Sequence, residues 1–178
     1  SFNKMNRLVR DLSRKFEKEI ELEIYGEDTE MDKNVIEQLA DPLVHMIRNS
    51  IDHGVEEKVK RIELGKSPIG KIVLGAHYEG SEVHIVIEDD GAGLNREKIL
   101  EKAISKGLID GSRHDIPDSE VWQLIFEPGL STAKEVTDIS GRGVGMDVVR
   151  KNIDKLRGKI AIESNKGKGT KITFKIPL

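Results

Sequence analysis

Five residues with useful chemistry, His45, Arg48, Asn49, Asp52 and His53, are interleaved with Leu39, Leu43, Val44, Met46, Ile47 and Ile51 in one short stretch of chain. On a helix, at ~100° per residue, the two sets separate onto opposite faces. The apolar face is expected to pack on a sheet, leaving the five polar groups side by side. A plain solvated surface is one reading of such a face. Solvated faces, however, usually recruit Lys and Glu, whereas two His and an Asn are poor helix formers and good chemical groups. The Asn49 side-chain oxygen can ligate Mg²⁺, which keeps several waters and takes its other ligands from phosphate. Arg48 and His53 can neutralise phosphate oxygens. His45, one turn before Asn49, can act as a base or orienting group beside a metal-bound phosphate.

Two glycine turns add to this. Ile87-Glu88-Asp89-Asp90-Gly91-Ala92-Gly93 ends an alternating strand on which Val83, Ile85 and Ile87 face the core, and the period of two turns Asp89 to the same face. An inward carboxylate needs hydrogen-bond donors. The exocyclic amine of adenine is one, whereas guanine offers an acceptor at that place. The same Asp-Asp-Gly can also be a simple turn cap. Gly141-Arg142-Gly143-Val144-Gly145 leads into a helix whose free amides and dipole suit an anion, although a lid hinge has the same composition. It is not the dinucleotide fingerprint, because Met146 stands at the final glycine position. Gly65-Lys66-Ser67 is not a Walker loop, since Lys60 occupies the place of the first glycine. The protein-kinase catalytic tripeptides are missing too.

These groups need a scaffold, and the hydrophobic pattern supplies one. Helical spacing is expected over Phe2–Lys18, from Asp32 to His53 with a break at Asp41-Pro42, over Arg96–Lys106, in a short patch at Ser119–Ile125, and over Gly145–Leu156. Alternation predicts strands at Ile20–Ile24, Ile72–Tyr78, Val83–Asp89, Lys159–Glu163 and Thr170–Ile176. Leu108 to Gly141 reads as a long, mostly irregular lid. Five strands joined mostly by hairpins imply an α+β fold, a two-layer sandwich with helices on one sheet face, in a single domain.

The ordered set of a helix with Asn49, then Asp89-x-Gly91-x-Gly93, then a lid and Gly141-x-Gly143-x-Gly145, resembles the GHKL ATPases. That superfamily includes gyrase, MutL, heat-shock chaperone ATPases and sensor histidine kinases. The segments Asp41–Glu56, Phe126–Thr132 and Gly141–Val149 resemble the CheA-type chemotaxis histidine kinases in particular. The likeness begins at Arg7 and covers most of the chain. It implies a sandwich of the Bergerat type in which Asn49 binds Mg²⁺ and Asp89 binds adenine of ATP. Gly91, Gly93, Gly141, Gly143 and Gly145 would shape the pocket and lid. By the same resemblance Arg48, Asp52, His53, Lys98, Lys102, Ser131, Thr132 and Val144 join the nucleotide-contacting set. His45 stands where hydrolysing relatives have a water-activating glutamate, which favours transfer to a protein over hydrolysis.

The resemblance also implies partners: a phosphoacceptor histidine domain of the same parent protein, with chemoreceptors, a coupling protein and response regulators beyond it. His77 and His84 are expected to face each other across a hairpin on a solvent face, and His114 to be solvated in the lid. None sits in the helical hairpin that acceptors use. Trp122 is expected to be a packing residue.

Composition narrows the alternatives. The 178-residue chain carries 29 basic and 32 acidic residues, a net charge of −3 that argues against a general nucleic-acid binder. It has no cysteine, so thiolate metal sites and disulfides are excluded. No apolar run is long enough for a membrane span. A cytoplasmic, monomeric domain excised from a longer protein is the expectation. The competing readings are an ATPase that drives a conformational clamp, and a regulatory module that has lost nucleotide.

Overall fold

The computed structural model describes residues 2–112, 115–130 and 145–178. In chain order its elements are α1 (Asn3–Lys15), β1 (Ile20–Tyr25), α2 (Lys33–Asn49), α3 (Lys58–Glu63), β2 (Gly70–Glu79), β3 (Glu82–Asp89), α4 (Arg96–Ser105), α5 (Asp118–Gln123), α6 (Met146–Lys155), β4 (Lys159–Asn165) and β5 (Gly169–Pro177). The strands form one sheet in the order β1-β2-β3-β5-β4. β1 runs parallel to β2, and the other three pairs are antiparallel. The α+β class expected from the strand pattern is therefore the one observed.

Alternation explains the layers. Ile72, Leu74 and Ala76 of β2, Val83, Ile85 and Ile87 of β3, and Ile172, Phe174 and Ile176 of β5 are all buried. They meet Val9 and Leu12 of α1, Leu39, Leu43 and Ile47 of α2, and Val149 and Ile153 of α6 in one core. Trp122, on α5, is buried in that core as expected of a packing residue.

The expected break at Asp41-Pro42 does not occur, since α2 runs unbroken through Pro42. Proline lacks the amide that would bond to the carbonyl four residues back, that of Gln38. In this fold Asn152 of α6 donates its side-chain amide to Gln38 C=O at 3.3 Å, so a neighbouring helix supplies the missing donor. The sequence pattern also passed over α3. Its charged run, Lys58 to Glu63, looks solvated but contains the fully buried Arg61.

If Asn152 compensates for Pro42, the two sites are coupled. Asn152→Ala should cost about 1 kcal/mol with Pro42 present and distinctly less in a Pro42→Ala background, where the backbone amide returns. A double-mutant cycle by denaturant unfolding measures the difference, and strict additivity would remove the link.

Candidate functional site

Strand register builds the floor of the site. Ile85 lies opposite Ala76 and Phe174, Ile87 opposite Leu74 and Ile172, and Asp89 opposite Ile72 and Thr170. Thr170 pairs onward with Ser164. Two apolar rungs are thus followed by one that brings Asp89, Thr170 and Ser164 to the end of the helix-facing side. Ser164 Oγ and Thr170 Oγ1 are 3.0 Å apart, and Leu94 N–H donates to Ser164 Oγ at 2.8 Å. Asp89 is only 7% exposed. Burial raises the pKa of its carboxyl above the ordinary aspartate value. The nearby Asp90 charge adds to the rise, and hydrogen bonds from the Gly91 amide, the Ser50 hydroxyl and the Thr170 backbone oppose it. Gly91 N–H lies 2.9 Å from Asp89 Oδ1.

Opposite this floor, α2 ends at Asn49 and passes into a π-helical turn, Ser50–Gly54. Val55 N–H closes the turn on Ser50 C=O at 2.7 Å. Such widened turns favour functional sites because they re-aim side chains. Here Asn49, Ser50, His53 and Gly54 all face the cavity. The carbonyls left over at this helix end are covered by Lys18, whose Nζ reaches Ile51 C=O at 2.6 Å and Asp52 C=O at 2.9 Å. Desolvation lowers the Lys18 pKa, opposed by the negative charge of Asp52.

Glycine is required where the turn meets the Asp89 loop. A Cβ on Gly91 would lie 2.1 Å from Gly54 O. That carbonyl also accepts Ala92 N–H at 2.9 Å, so the two segments share one tight contact. Gly93 adopts a φ of +80°, and a Cβ there would lie 2.5 Å from Asn165 O.

Behind the loop lies an ion network centred on the buried Arg61 and Glu56. Arg61 is 1% exposed and reaches Glu56 Oε1 at 3.1 Å, Asp90 Oδ2 at 2.9 Å and Ser67 C=O at 2.7 Å. Lys66 Nζ joins it, at 2.6 Å from Glu56 Oε2, 3.0 Å from Asp90 C=O and 2.9 Å from Gly91 C=O. These bonds fix the backbone immediately after Asp89.

Between the floor and the π turn is a cavity of about 300 Å³. Its walls are largely apolar, from Met46, Leu94, Ile99, Ile125, Leu130, Met146 and Ile172, with Asp89 and Asn49 as inner polar groups. The exposed Lys98 and Lys102, one turn apart on α4, also line it. Apolar walls around a few placed polar groups suit a flat aromatic ring, and the two lysines supply positive charge for an anionic portion.

Residues 38–178 match the family described as histidine kinase-, DNA gyrase B- and HSP90-like ATPases. The chain belongs to that family.

Within this ATPase family the chain is of the CheA type. It is 50% identical over 177 residues to the chemotaxis protein CheA of Salmonella typhimurium, covering 99% of this chain and 26% of that protein. It is 48% identical to the chemotaxis protein CheA of Bacillus subtilis, again over 99% of the chain and 26% of the relative. It is 53% identical to the sensor histidine kinase CheAY of Helicobacter pylori over 99% of the chain and 22% of that protein. The chain therefore spans about a quarter of the length of these curated relatives. Among solved structures, the nucleotide-free catalytic domain of the histidine kinase ThkA aligns with a TM-score of 0.51 at 21% identity, covering 97% of this chain and 91% of that one. The histidine kinase domain of the blue-light activated kinase EL346 from Erythrobacter litoralis aligns with a TM-score of 0.57 at 12% identity, over 97% and 62% of the two chains. Both show the fold.

The structure divides the residues singled out on this ATPase-family helix. Asn49 and His53 line the cavity together with Asp89, Gly93, Lys98 and Lys102, and Gly91 forms the loop behind Asp89. His45, Arg48 and Asp52 are not part of its lining. The reason lies in the helical arc. Successive steps of ~100° put Met46, Asn49 and His53 within about 60° of one another, while Asp52 and Arg48 lie roughly 60° and 100° beyond Asn49, on the side away from Met46. His45 is 4% exposed and lies within about 40° of both Gln38 and Asn49 on the helical arc, and both of these reach α6: Asn49 Nδ2 donates to Met146 Sδ at 3.1 Å, and Gln38 C=O accepts from Asn152. The Asp52 carboxylate sits 3.3 Å from His53 Nε2. Ser131, Thr132, Gly141, Gly143, Val144 and His114 lie outside the described residues, as does part of the expected lid. Gly145 directly precedes α6. Sequence reasoning missed Ser50, Gly54 and Thr170; the last was findable, since the β3–β5 register carries it beside Asp89.

Two outcomes test this geometry. Arg61→Met should cost about 2–3 kcal/mol by leaving the Ser67 carbonyl and Glu56 Oε1 without their donor while Lys66 still pairs with Glu56, read from unfolding in denaturant; a loss below ~1 kcal/mol would show that the network holds little. Because the folded Asp89 carboxyl is harder to ionise, its contribution is complete below the ordinary pKa of 3.8 and is lost as pH rises through the higher folded value. Asp89→Asn keeps an acceptor without the charge. It should equal wild type in acid and exceed it in stability near about pH 7, and a wild type that gains on the variant with rising pH would contradict desolvation as the cause.

Proposed function

We propose that this chain binds ATP with adenine against Asp89 and presents the γ-phosphoryl group to a histidine on another domain of a longer chemotaxis kinase. The observation that carries the reading is the desolvated Asp89 carboxyl in a largely apolar cavity that Asn49, Lys98 and Lys102 also line. Asp89 accepts from the exocyclic amine of adenine, and the walls sandwich the ring. Guanine places a carbonyl there, which repels the carboxylate.

Asn49 suits a magnesium ion: its Nδ2 is engaged by Met146, so Oδ1 is the arm left to ligate. Asn49 would hold the ion through Oδ1, and the charge of such an ion would offset the negative charge of the phosphate groups. Lys98, Lys102 and His53 bind phosphate. Arg48, Ser131, Thr132, Gly141, Gly143, Val144 and Gly145 belong to the phosphate and lid side of this proposal through the family resemblance. His45, buried toward α6, acts as an orienting group for Asn49. With histidine where hydrolysing relatives carry a water-activating glutamate, alignment and charge neutralisation favour a protein nucleophile. The relatives named chemotaxis proteins support a setting with chemoreceptors, a coupling protein and response regulators. No helix among the described residues is long and apolar enough to cross a membrane; a cytoplasmic location and a monomeric state for this domain belong to the proposal through the family resemblance.

Calorimetric titration with ATP and GTP, with and without Mg²⁺, is the test. ATP should bind selectively, and Asp89→Asn should weaken it by ~1.5–3 kcal/mol, about 10- to 150-fold. Equal binding of ATP and GTP would refute the adenine reader. Asn49→Asp should abolish Mg²⁺-dependent transfer to a supplied acceptor domain, and steady phosphate release without acceptor would favour a hydrolysing clamp instead.

A further inference from the structure

Away from the cavity, β2 and β3 bring together a second set of groups with ligand chemistry. His77 lies directly opposite His84 in the strand register, on the sheet face turned away from the helices, because Ala76 and Ile85 occupy the other face. The two imidazole centroids are 5.3 Å apart. Glu79 extends from the same face near the hairpin end, with Oε2 2.9 Å from His84 Nδ1 and 3.8 Å from His77 Nε2. One ligand atom from each of His77, Glu79 and His84 lies within 4.8 Å of the others. In a tetrahedral zinc site with bonds of ~2.0–2.1 Å, ligand atoms stand roughly 3.4 Å apart. A small closure of the exposed Glu79 and half-exposed His77 side chains reaches that spacing.

An ordinary pair of surface ion contacts is the simpler account, and the sequence pattern pointed to a solvent face. Two features suit a cation site as well. His84 is 7% exposed on the uncovered side of the sheet, and a carboxylate approaches each of its nitrogens: Glu79 at Nδ1 and Glu82 Oε1 at Nε2, 3.1 Å away. A neutral imidazole donates from one nitrogen only, so contact with both carboxylates calls for either an imidazolium or a cation at one nitrogen. A cation between Nδ1 and Glu79 satisfies both, with Nε2–H donating to Glu82 in the carboxylate–histidine–metal arrangement that orients metal-bound imidazoles. His77 is also held in place, since Tyr25 stacks beside it at 6.3 Å between centroids and an angle of 24°. Tyr25 in turn lies flat on Gly75, where a Cβ would be 2.0 Å from the ring.

We propose that His77, Glu79 and His84 bind a borderline divalent transition cation, Zn²⁺ foremost, with Glu82 as the residue that positions His84. Two imidazoles and one carboxylate suit zinc, whereas Mg²⁺ prefers oxygen ligands. The site is separate from the nucleotide cavity, five residues along β3 from Asp89, roughly 17 Å, and on the opposite sheet face. A bound cation clips β2 to β3 across their register.

The chain, stripped of metal with a chelator and free of nucleotide, is titrated calorimetrically with zinc chloride. One equivalent should bind in the micromolar range or tighter. His77→Ala and His84→Ala should each weaken binding by about 100-fold, and Glu82→Gln by about tenfold. His53→Asn, in the other cavity, should leave the titration unchanged. His77 is half-exposed, so its variant should keep the wild-type circular dichroism and separates ligand loss from misfolding even if the His84 variant unfolds. Binding no tighter than millimolar, binding that survives His77→Ala in a folded chain, or binding lost with His53→Asn alone would overturn the assignment.

Discussion

Burying the Asp89 carboxylate costs solvation that its hydrogen bonds only partly return, and much of the surrounding structure follows from that cost. The Ser50 hydroxyl reaches Asp89 because α2 widens into a π turn just after Asn49. The absence of a side chain on Gly54 leaves room for the carboxylate, since a Cβ there would stand 3.1 Å from Oδ2. The Gly91 amide points back at Oδ1 because the next residues are clamped from behind by Arg61 and Lys66. A desolvated carboxyl in this cavity is costly to ionise, and a ligand that donates a hydrogen bond to it would offset that cost. Function and local instability thus have one cause.

The same constraint explains why charged residues lie deep behind the loop. Arg61 and Glu56 are costly to bury, and an apolar replacement of the whole cluster could be equally stable. What apolar side chains cannot do is hold three backbone carbonyls, those of Ser67, Asp90 and Gly91, in one place. Lys18 does comparable work at the other side, where it covers the carbonyls of Ile51 and Asp52. Arg61, Lys66 and Lys18 together therefore fix the backbone that presents Asp89, Ser50 and Asn49.

Much of this was legible in the sequence because it rests on period. Alternation alone placed the five strands and turned Asp89 inward, and the glycines around it marked close backbone approach. Other features depend on contacts between segments far apart in the chain. Arg61 lies among Lys58, Lys60 and Glu63, and nothing local distinguishes a buried guanidinium from its solvated neighbours. Pro42 reads as a helix break until Asn152, 114 positions away in Asn152→Gln38 separation, supplies a donor. The helical wheel failed in a more instructive way. By grouping residues by polarity it joined His45, Arg48 and Asp52 to Asn49 and His53, whereas angle alone puts Met46 beside Asn49 and His53 on the cavity side. A ligand cavity is partly apolar, so polarity is the wrong criterion for its arc.

Parity along β3 ties these observations together. Odd-numbered Val83, Ile85, Ile87 and Asp89 face the helices and the cavity, and even-numbered Glu82, His84 and Val86 face the other side. A slip of one residue would exchange the two sets, sending Asp89 to solvent and His84 into the apolar core. The apolar rungs resist such a slip, but the last rung before the cavity, Ile72–Asp89–Thr170–Ser164, is mostly polar and contributes less. The register at that end rests instead on Gly91 and Gly54 in contact and on Arg61 gripping Asp90. At the hairpin end it rests on the opposed His77 and His84, and a cation shared between them would fix the strand from the far end, so that one register serves two unlike chemistries on opposite faces of a single strand.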